Sequence, residues 1–69
     1  MFKSGDIVVK KDDRGIPGLT LREYSVVGEP YTKYRQMMFN LVGGTGSRTY
    51  STMYPVDQFE LLSDHLERI

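Results

Sequence analysis

Short β-prone runs, punctuated by glycine and proline, are the feature that most constrains the fold of this chain. Residues 6–11 (DIVVKK) are rich in β-branched side chains and stop at the turn-forming cluster 12–15 (DDRG). Residues 19–27 predict a second strand with an irregularity at 23–24, and residues 28–30 (GEP) end it with turn chemistry. This spacing favours several short antiparallel strands and gives no sign of a long helix.

Residues 31–42 (YTKYRQMMFNLV) give the strongest strand signal. A helix is the competitor, because Met, Gln and Arg are good helix formers. We favour a strand, since the segment lacks a helix cap, contains Thr, Tyr, Phe and Val, and ends in a glycine-rich turn. Its alternation places Met37, Phe39 and Leu41 on one face, with Met37 expected in the core, and Gln36, Met38 and Asn40 on the other.

Residues 42–50 (VGGTGSRTY) fit either a phosphate-binding loop or a plain turn. A Walker-type loop needs a lysine after the glycines and a helix behind them, so that backbone N–H groups converge on the anion. Here no lysine follows, and residues 47–54 form another β-prone run. The glycines at 43, 44 and 46 therefore predict a hairpin connection, although a loop tip that touches a partner, with Arg48 at its base, is the alternative.

Length and cysteine content limit the chemistry that is open to the chain. A domain of 69 residues has one modest core, worth roughly 3–5 kcal/mol. Without cysteine it has neither a disulfide nor a thiolate metal site, and His65 cannot build a zinc site alone. We therefore expect no metal and no cofactor, with most apolar residues committed to folding.

The charges cancel overall but are unevenly distributed. Nine basic and nine acidic residues argue against a dedicated nucleic-acid binder. Residues 31–56 carry only the cations Lys33, Arg35 and Arg48, whereas residues 57–67 carry four acids and no Lys or Arg. No signal-like segment and no run near the roughly 20 apolar residues of a membrane span is visible. We expect a cytoplasmic protein with no membrane contact.

The end of the chain predicts a turn, a short strand and a tail. Pro55 suits the first position of a single helical turn, and Phe59 and Leu61 alternate as a short strand would. Ser63 could cap one or two turns of helix at the C-terminus. Such a short helix would have to dock Leu66 or Ile69, or it would fray.

Two segments resemble small SH3-like barrels. Residues 2–11 (FKSGDIVVKK) look like the G-D-x-V first strand of those domains, and residues 54–62 (YPVDQFELL) look like their 3₁₀ turn and last strand. The same pattern recurs in KOW-type, Tudor-like and bacterial YodC-like domains. The resemblance implies an all-β SH3-like barrel of four to five antiparallel strands over residues 1–62, with residues 63–69 as a tail. It also implies a binding function, because such barrels bind RNA, DNA, peptides or other subunits and few are enzymes.

Catalysis finds little support among the titratable residues. Acid–base chemistry needs paired carboxylates or a histidine held in a pocket. Asp12 and Asp13 are adjacent, so we expect their side chains to bond backbone N–H groups in a turn. His65 lies in the acidic tail and is expected to be a solvated surface residue. We therefore expect no enzymatic activity.

Aromatic and basic residues interleave between positions 31 and 54. This mixture suits a platform on which bases stack while cations contact phosphates, although tyrosine also covers half-buried strands. The predicted contact residues are Tyr31, Lys33, Tyr34, Arg35, Arg48, Tyr50 and Tyr54.

Protein recognition is the other use of the same surface, and we favour it slightly. Small barrels present open sheet edges and aromatic grooves that accept peptides. Methionine adds adaptable apolar surface, and an exposed Met38 would mark a pairing face for another protein or a second copy. The sequence thus predicts a noncatalytic module that acts as a protein-interaction adaptor or regulator. Weak RNA or DNA binding is the alternative, and a homo-oligomer is left open.

Overall fold

A five-stranded antiparallel sheet dominates the computed structural model, which describes residues 2–43 and 51–68. The strands are β1 (Ile7–Lys10), β2 (Tyr24–Lys33), β3 (Gln36–Gly43), β4 (Thr52–Pro55) and β5 (Phe59–Leu61), with a 3₁₀ turn (Val56–Gln58) before β5 and a helix α1 (Leu62–Arg68) after it. Their order in the sheet is β4-β3-β2-β1-β5. The predicted small all-β fold, with its 3₁₀ turn and short C-terminal helix, is confirmed.

The turn between β2 and β3 lies at Tyr34 and Arg35, which corrects two predictions. The sequence places a turn at residues 28–30, but β2 runs through them. In the pairing of β2 with β3, these three residues lie opposite a single residue, Phe39, and so form a bulge-like irregularity. Gly28 supplies the positive φ of +74° that such a bulge uses. The predicted single strand over residues 31–42 is accordingly divided between β2 and β3. Glycine and proline correctly indicated an irregular backbone at residues 28–30, but these residue types occur in bulges as well as in turns.

The hydrophobic core is built around one cluster of buried side chains. Val8, Val26 and Leu41 converge there with two aromatic rings, Phe39 and Phe59, whose centroids are 5.5 Å apart in an edge-on arrangement. Burying each of these side chains stabilises the fold by roughly 1.5–3 kcal/mol. The partly buried residues packed against this cluster are Phe2, Tyr24, Tyr54, Val56 and Leu61.

The two methionines of β3 reverse their predicted roles. Met37 shares a face with Phe39, as predicted, but it is 39% exposed, because it pairs with Thr32 beside the hairpin turn, away from the core. Met38 lies on the opposite face between its cross-strand neighbours Tyr31 and Pro55, and it is only 4% exposed. The prediction that Met37 is core was therefore wrong, and Met38 offers no exposed pairing surface.

Helix α1 packs against β1 and β5 in a way that the sequence did not predict. It begins at Leu62, so Ser63 lies within its first turn and is not the cap. Leu66 is 40% exposed, and Ile69 lies outside the described residues. The buried residue of the helix is His65. None of the helices in the described part of the chain has the length and apolar character that crossing a bilayer requires.

Candidate binding surface

The β2–β3 turn has the backbone of a tight hairpin without the residues that normally form one. Lys33 pairs with Gln36, which leaves a two-residue connection. Tyr34 has a φ of 55° and Arg35 a φ of 62°, and positive φ at both central positions defines a type I′ turn. Such turns prefer Asn-Gly, because glycine has no Cβ and the short side chain of Asn can hydrogen-bond locally, whereas other residues cost about 1–2 kcal/mol each in this region. The tip therefore holds two strained residues.

The side chains of this tip are turned outward. Tyr34 is 70% exposed, although aromatic side chains usually bury a large part of their surface. The Nζ of Lys33 lies 5.4 Å from the centroid of the Tyr34 ring, which is within the range of a cation–π contact. Arg35 is exposed beside them. We call Lys33, Tyr34 and Arg35 the hairpin tip.

Tyr31 stands behind the hairpin tip on β2 and is held in place. Its hydroxyl donates a hydrogen bond of 2.7 Å to Oδ1 of Asn40, which lies on the neighbouring strand β3. The ring is half-buried. Tyr31 therefore presents part of its ring beside the tip in a fixed orientation.

Tyr54 is separated from the hairpin tip and belongs to the margin of the core. Its ring centroid lies 5.4 Å from that of Phe59 and 5.8 Å from that of Tyr24, and on the ladder it pairs with Phe39. The explanation that tyrosines cover half-buried strands suits this residue. The structure thus brings together three of the predicted contact residues, places Tyr31 next to them and sets Tyr54 apart.

The glycine-rich connection is only partly within the described residues. β3 ends at Gly43, whose φ is +114°, and β3 and β4 are antiparallel neighbours, as a hairpin connection requires. Arg48 and Tyr50, both predicted contacts, lie outside the described residues, as do the other glycines of this loop.

A shallow cleft lies beside the hairpin, and the sequence did not predict it. It is lined by Phe2, Glu29, Pro30 and Met37. Phe2 is anchored by its contact with the core ring of Phe39, at a centroid distance of 5.2 Å. The bulge of β2 places Glu29 and Pro30 at this cleft, and periodicity alone does not reveal a bulge.

The opposite end of the molecule holds a buried polar cluster, and here the prediction for His65 was wrong. His65 is 0% exposed, with Nδ1 2.6 Å from Oε2 of Glu60 and Nε2 3.0 Å from the backbone oxygen of Asp13. Arg68 donates to both carboxylate oxygens of Glu60. The spacing of His65 and Arg68, three positions apart on a helix, was the available signal that they share a face.

The carboxyl groups of this cluster bind protons less readily than usual. Hydrogen bonds from Arg68 and then from His65 lower the pKa of Glu60. The backbone N–H of Gly15, at 2.8 Å, is the main cause that lowers the pKa of Asp13, whose other oxygen accepts from the N–H of Arg22 at 3.2 Å. The prediction that Asp13 bonds backbone groups in a turn is confirmed.

The described residues contain no group of three or more His, Cys, Asp or Glu side chains placed to hold a metal ion. Comparisons of the chain with protein-family models, with curated proteins and with solved structures gave no match. The function is therefore inferred from the residues and their geometry.

Proposed function

We propose that this protein is a noncatalytic protein-binding module, an adaptor or regulator that contacts its partner through the hairpin tip. The observation that carries the proposal is the left-handed backbone at Tyr34 and Arg35, combined with the exposure of the Tyr34 ring. Strained residues of this kind persist where the surrounding structure enforces them, and they concentrate at binding sites.

The chemistry of the hairpin tip suits an interface hot spot. Tyrosine and arginine are the residue types that most often dominate binding energy, because each combines a large flat surface with hydrogen-bond donors. The two-residue turn holds Tyr34 and Arg35 on a short hairpin, so little backbone entropy is lost when a partner binds them. The two cations of the tip favour a partner surface that carries carboxylates.

A protein partner is favoured over a nucleic acid by the surroundings of the tip. The cleft beside it is lined by three apolar residues and by Glu29, whose carboxylate would repel a phosphate backbone. Among the described residues the tip carries two cations, whereas a nucleic-acid strand is usually tracked by a longer positive groove. The resemblance to SH3-like barrels supports a binding role in the same general way.

The proposal is tested by affinity capture from a nuclease-treated cell extract with three baits. The baits are the wild type, the double variant Tyr34→Ala with Arg35→Ala, and the matched control Arg14→Ala, which removes an exposed cation from the loop between β1 and β2. We expect proteins that the wild type and the control retain and the double variant loses. Retention of the same proteins by all three baits would exclude the hairpin tip as the contact surface.

The nucleic-acid alternative is tested separately with single-stranded RNA and DNA oligonucleotides at low and raised salt. We expect no retention at low salt, where phosphate contacts are strongest. If the wild type retains an oligonucleotide, if that retention falls steeply with salt and if the double tip variant abolishes it, the partner is a nucleic acid and not a protein.

A further inference from the structure

We propose that His65 is a pH-sensitive latch. In its doubly protonated form it ties α1 to β5 and to the loop between β1 and β2, and loss of one ring proton releases that tie. The proposal concerns the end of the molecule away from the hairpin turn and does not depend on the proposed binding function.

Hydrogen-bond geometry requires two protons on the ring. Nδ1 faces a carboxylate oxygen of Glu60, and Nε2 faces the backbone oxygen of Asp13. A backbone oxygen can only accept, and an ionised carboxylate can only accept, whereas a neutral imidazole donates from one nitrogen alone. With both neighbours accepting, the imidazolium is the form that satisfies both contacts. Its neutral form would leave one buried nitrogen facing an oxygen lone pair, which is costly at a site shielded from water.

The competing arrangement would place the proton on Glu60 and leave His65 neutral. Arg68 opposes it, because its Nε donates to Oε1 of Glu60 at 3.2 Å and its Nη2 donates to Oε2. A guanidinium bound to both oxygens stabilises the ionised carboxylate. The lowered pKa of Glu60 agrees with this arrangement. The carboxylate therefore accepts from both cationic side chains of α1.

The latch also reaches the base of the β1–β2 loop. Besides the contact from His65 to the Asp13 backbone, Nη2 of Arg68 donates to the backbone oxygen of Lys11 at 3.4 Å. The carboxylate of Asp13 in turn binds the backbone N–H groups of Gly15 and Arg22, which close the two ends of the loop. Release of His65 therefore frees α1 and loosens the base of this loop together.

The charged groups around His65 come from each element that packs against it. β5 contributes Glu60, the loop contributes Asp13, and α1 itself contributes Arg68. β1 contributes no titratable group at its paired position, because the residue opposite Glu60 is Val9. Lys11, Asp57 and Asp64 line a cleft together with Glu60.

The sign of the pH dependence follows from these groups. Because both ring nitrogens face acceptor oxygens, the tie is complete only when the ring carries two protons, and it is lost when high pH removes one of them. Histidine side chains generally change charge between pH 5 and 8. On the acid side the contact is lost as pH falls through the lowered pKa of Glu60, beneath its ordinary value of 4.5. Docking of α1 should therefore be strongest at mildly acidic pH.

The direct test is a two-bond ¹H–¹⁵N correlation spectrum of the ring, recorded from pH 5 to pH 9 on the ¹⁵N-labelled protein. His65 is the only histidine in the chain, so its signals need no assignment by mutation. We expect both nitrogens to carry protons at pH 6. At higher pH we expect one proton to be lost, with a roughly tenfold loss of amide exchange protection in α1 beyond the intrinsic effect of pH. A single neutral tautomer throughout, or a titration without loss of protection, would overturn the proposal.

Two variants and a control separate the latch from simple packing. His65→Gln should lower the exchange protection of α1 and make that protection nearly independent of pH, and Glu60→Gln should move the ring titration to lower pH. The control is Glu67→Gln, which removes an exposed carboxylate from the same helix and should behave as the wild type. Should His65→Gln fail to fold, Glu60→Gln still decides, because an unchanged titration there contradicts the role of the carboxylate.

Discussion

The hairpin tip and the α1 latch use charged side chains in opposite ways. At the tip, Tyr34 and Arg35 are exposed on a strained backbone, and no described carboxylate pairs with Arg35. At the latch, His65 is buried and both of its nitrogens find an oxygen. We propose that polar contacts stabilise the fold at the latch, whereas the tip keeps a strained backbone that presents the proposed binding surface.

The largest effect should come from breaking the latch at its centre. Glu60→Ala removes the carboxylate that accepts from His65 and Arg68, and leaving a buried charge without its partner costs about 3 kcal/mol. Urea unfolding at pH 6 measures this loss. The matched change Glu67→Ala, on the exposed side of α1, should cost less than about 0.5 kcal/mol. Equal losses for the two variants would show that the latch does not stabilise the fold.

A smaller loss of stability is expected at Gly15, where the backbone of the β1–β2 loop passes close to Leu21. A Cβ added at Gly15 would lie 2.5 Å from the backbone nitrogen of Leu21, and backbone atoms cannot move aside as a flexible side chain can. Gly15→Ala should therefore cost about 2 kcal/mol and speed amide exchange in α1. Gly18→Ala is the control, because it adds strain at a φ of +79° but meets no atom within 4 Å. If both variants leave α1 protected, the loop and the helix are not coupled.

At the hairpin tip we expect a substitution to increase the stability of the fold. Replacing Tyr34 with Asn and Arg35 with Gly provides the residues that a type I′ turn prefers, so the double variant should be more stable by about 1–2 kcal/mol. For a domain of this size, each kcal/mol corresponds to an increase in Tm of about 4–8 °C. Thermal unfolding followed by circular dichroism measures it. A lower Tm would mean that the wild-type side chains stabilise the turn and that no strain is held there.

The smallest effect on stability should come from the cation beside the Tyr34 ring. Lys33→Ala removes an exposed cation–π contact, and we expect a change within about 0.5 kcal/mol in the free energy of unfolding. Binding to the captured partner should nevertheless weaken. A large loss of stability with unaltered binding would show that Lys33 stabilises the fold and does not contact the partner.

The sequence predicted the fold better than it predicted the positions of the turns. Alternation at Phe39 and Leu41 located the core face correctly, because the period of a strand is a direct consequence of its geometry. The turn at Tyr34 and Arg35 could not be predicted, since neither residue prefers a left-handed backbone. The bulge at residues 28–30 was mistaken for that turn.

The residues of the candidate surface were predicted in part, although their arrangement was not. Composition singled out Lys33, Tyr34 and Arg35, and the turn brings them together at one exposed point. The buried cluster was missed, because His65 finds its partners Glu60 and Asp13 through packing across the sheet, with Asp13 distant in sequence. A lone histidine in an acidic tail carries no local signal of such burial.

The most direct test of the account combines stability and binding in the Tyr34→Asn, Arg35→Gly double variant. Once capture has supplied the protein partner, its affinity for the wild type and for the variant is measured by titration calorimetry, alongside the Tm of each protein. We expect the variant to have the higher Tm and at least roughly tenfold weaker binding, as the loss of hot-spot side chains implies. Undiminished affinity in a more stable variant would contradict the account, because the strained residues would then have no role in recognition.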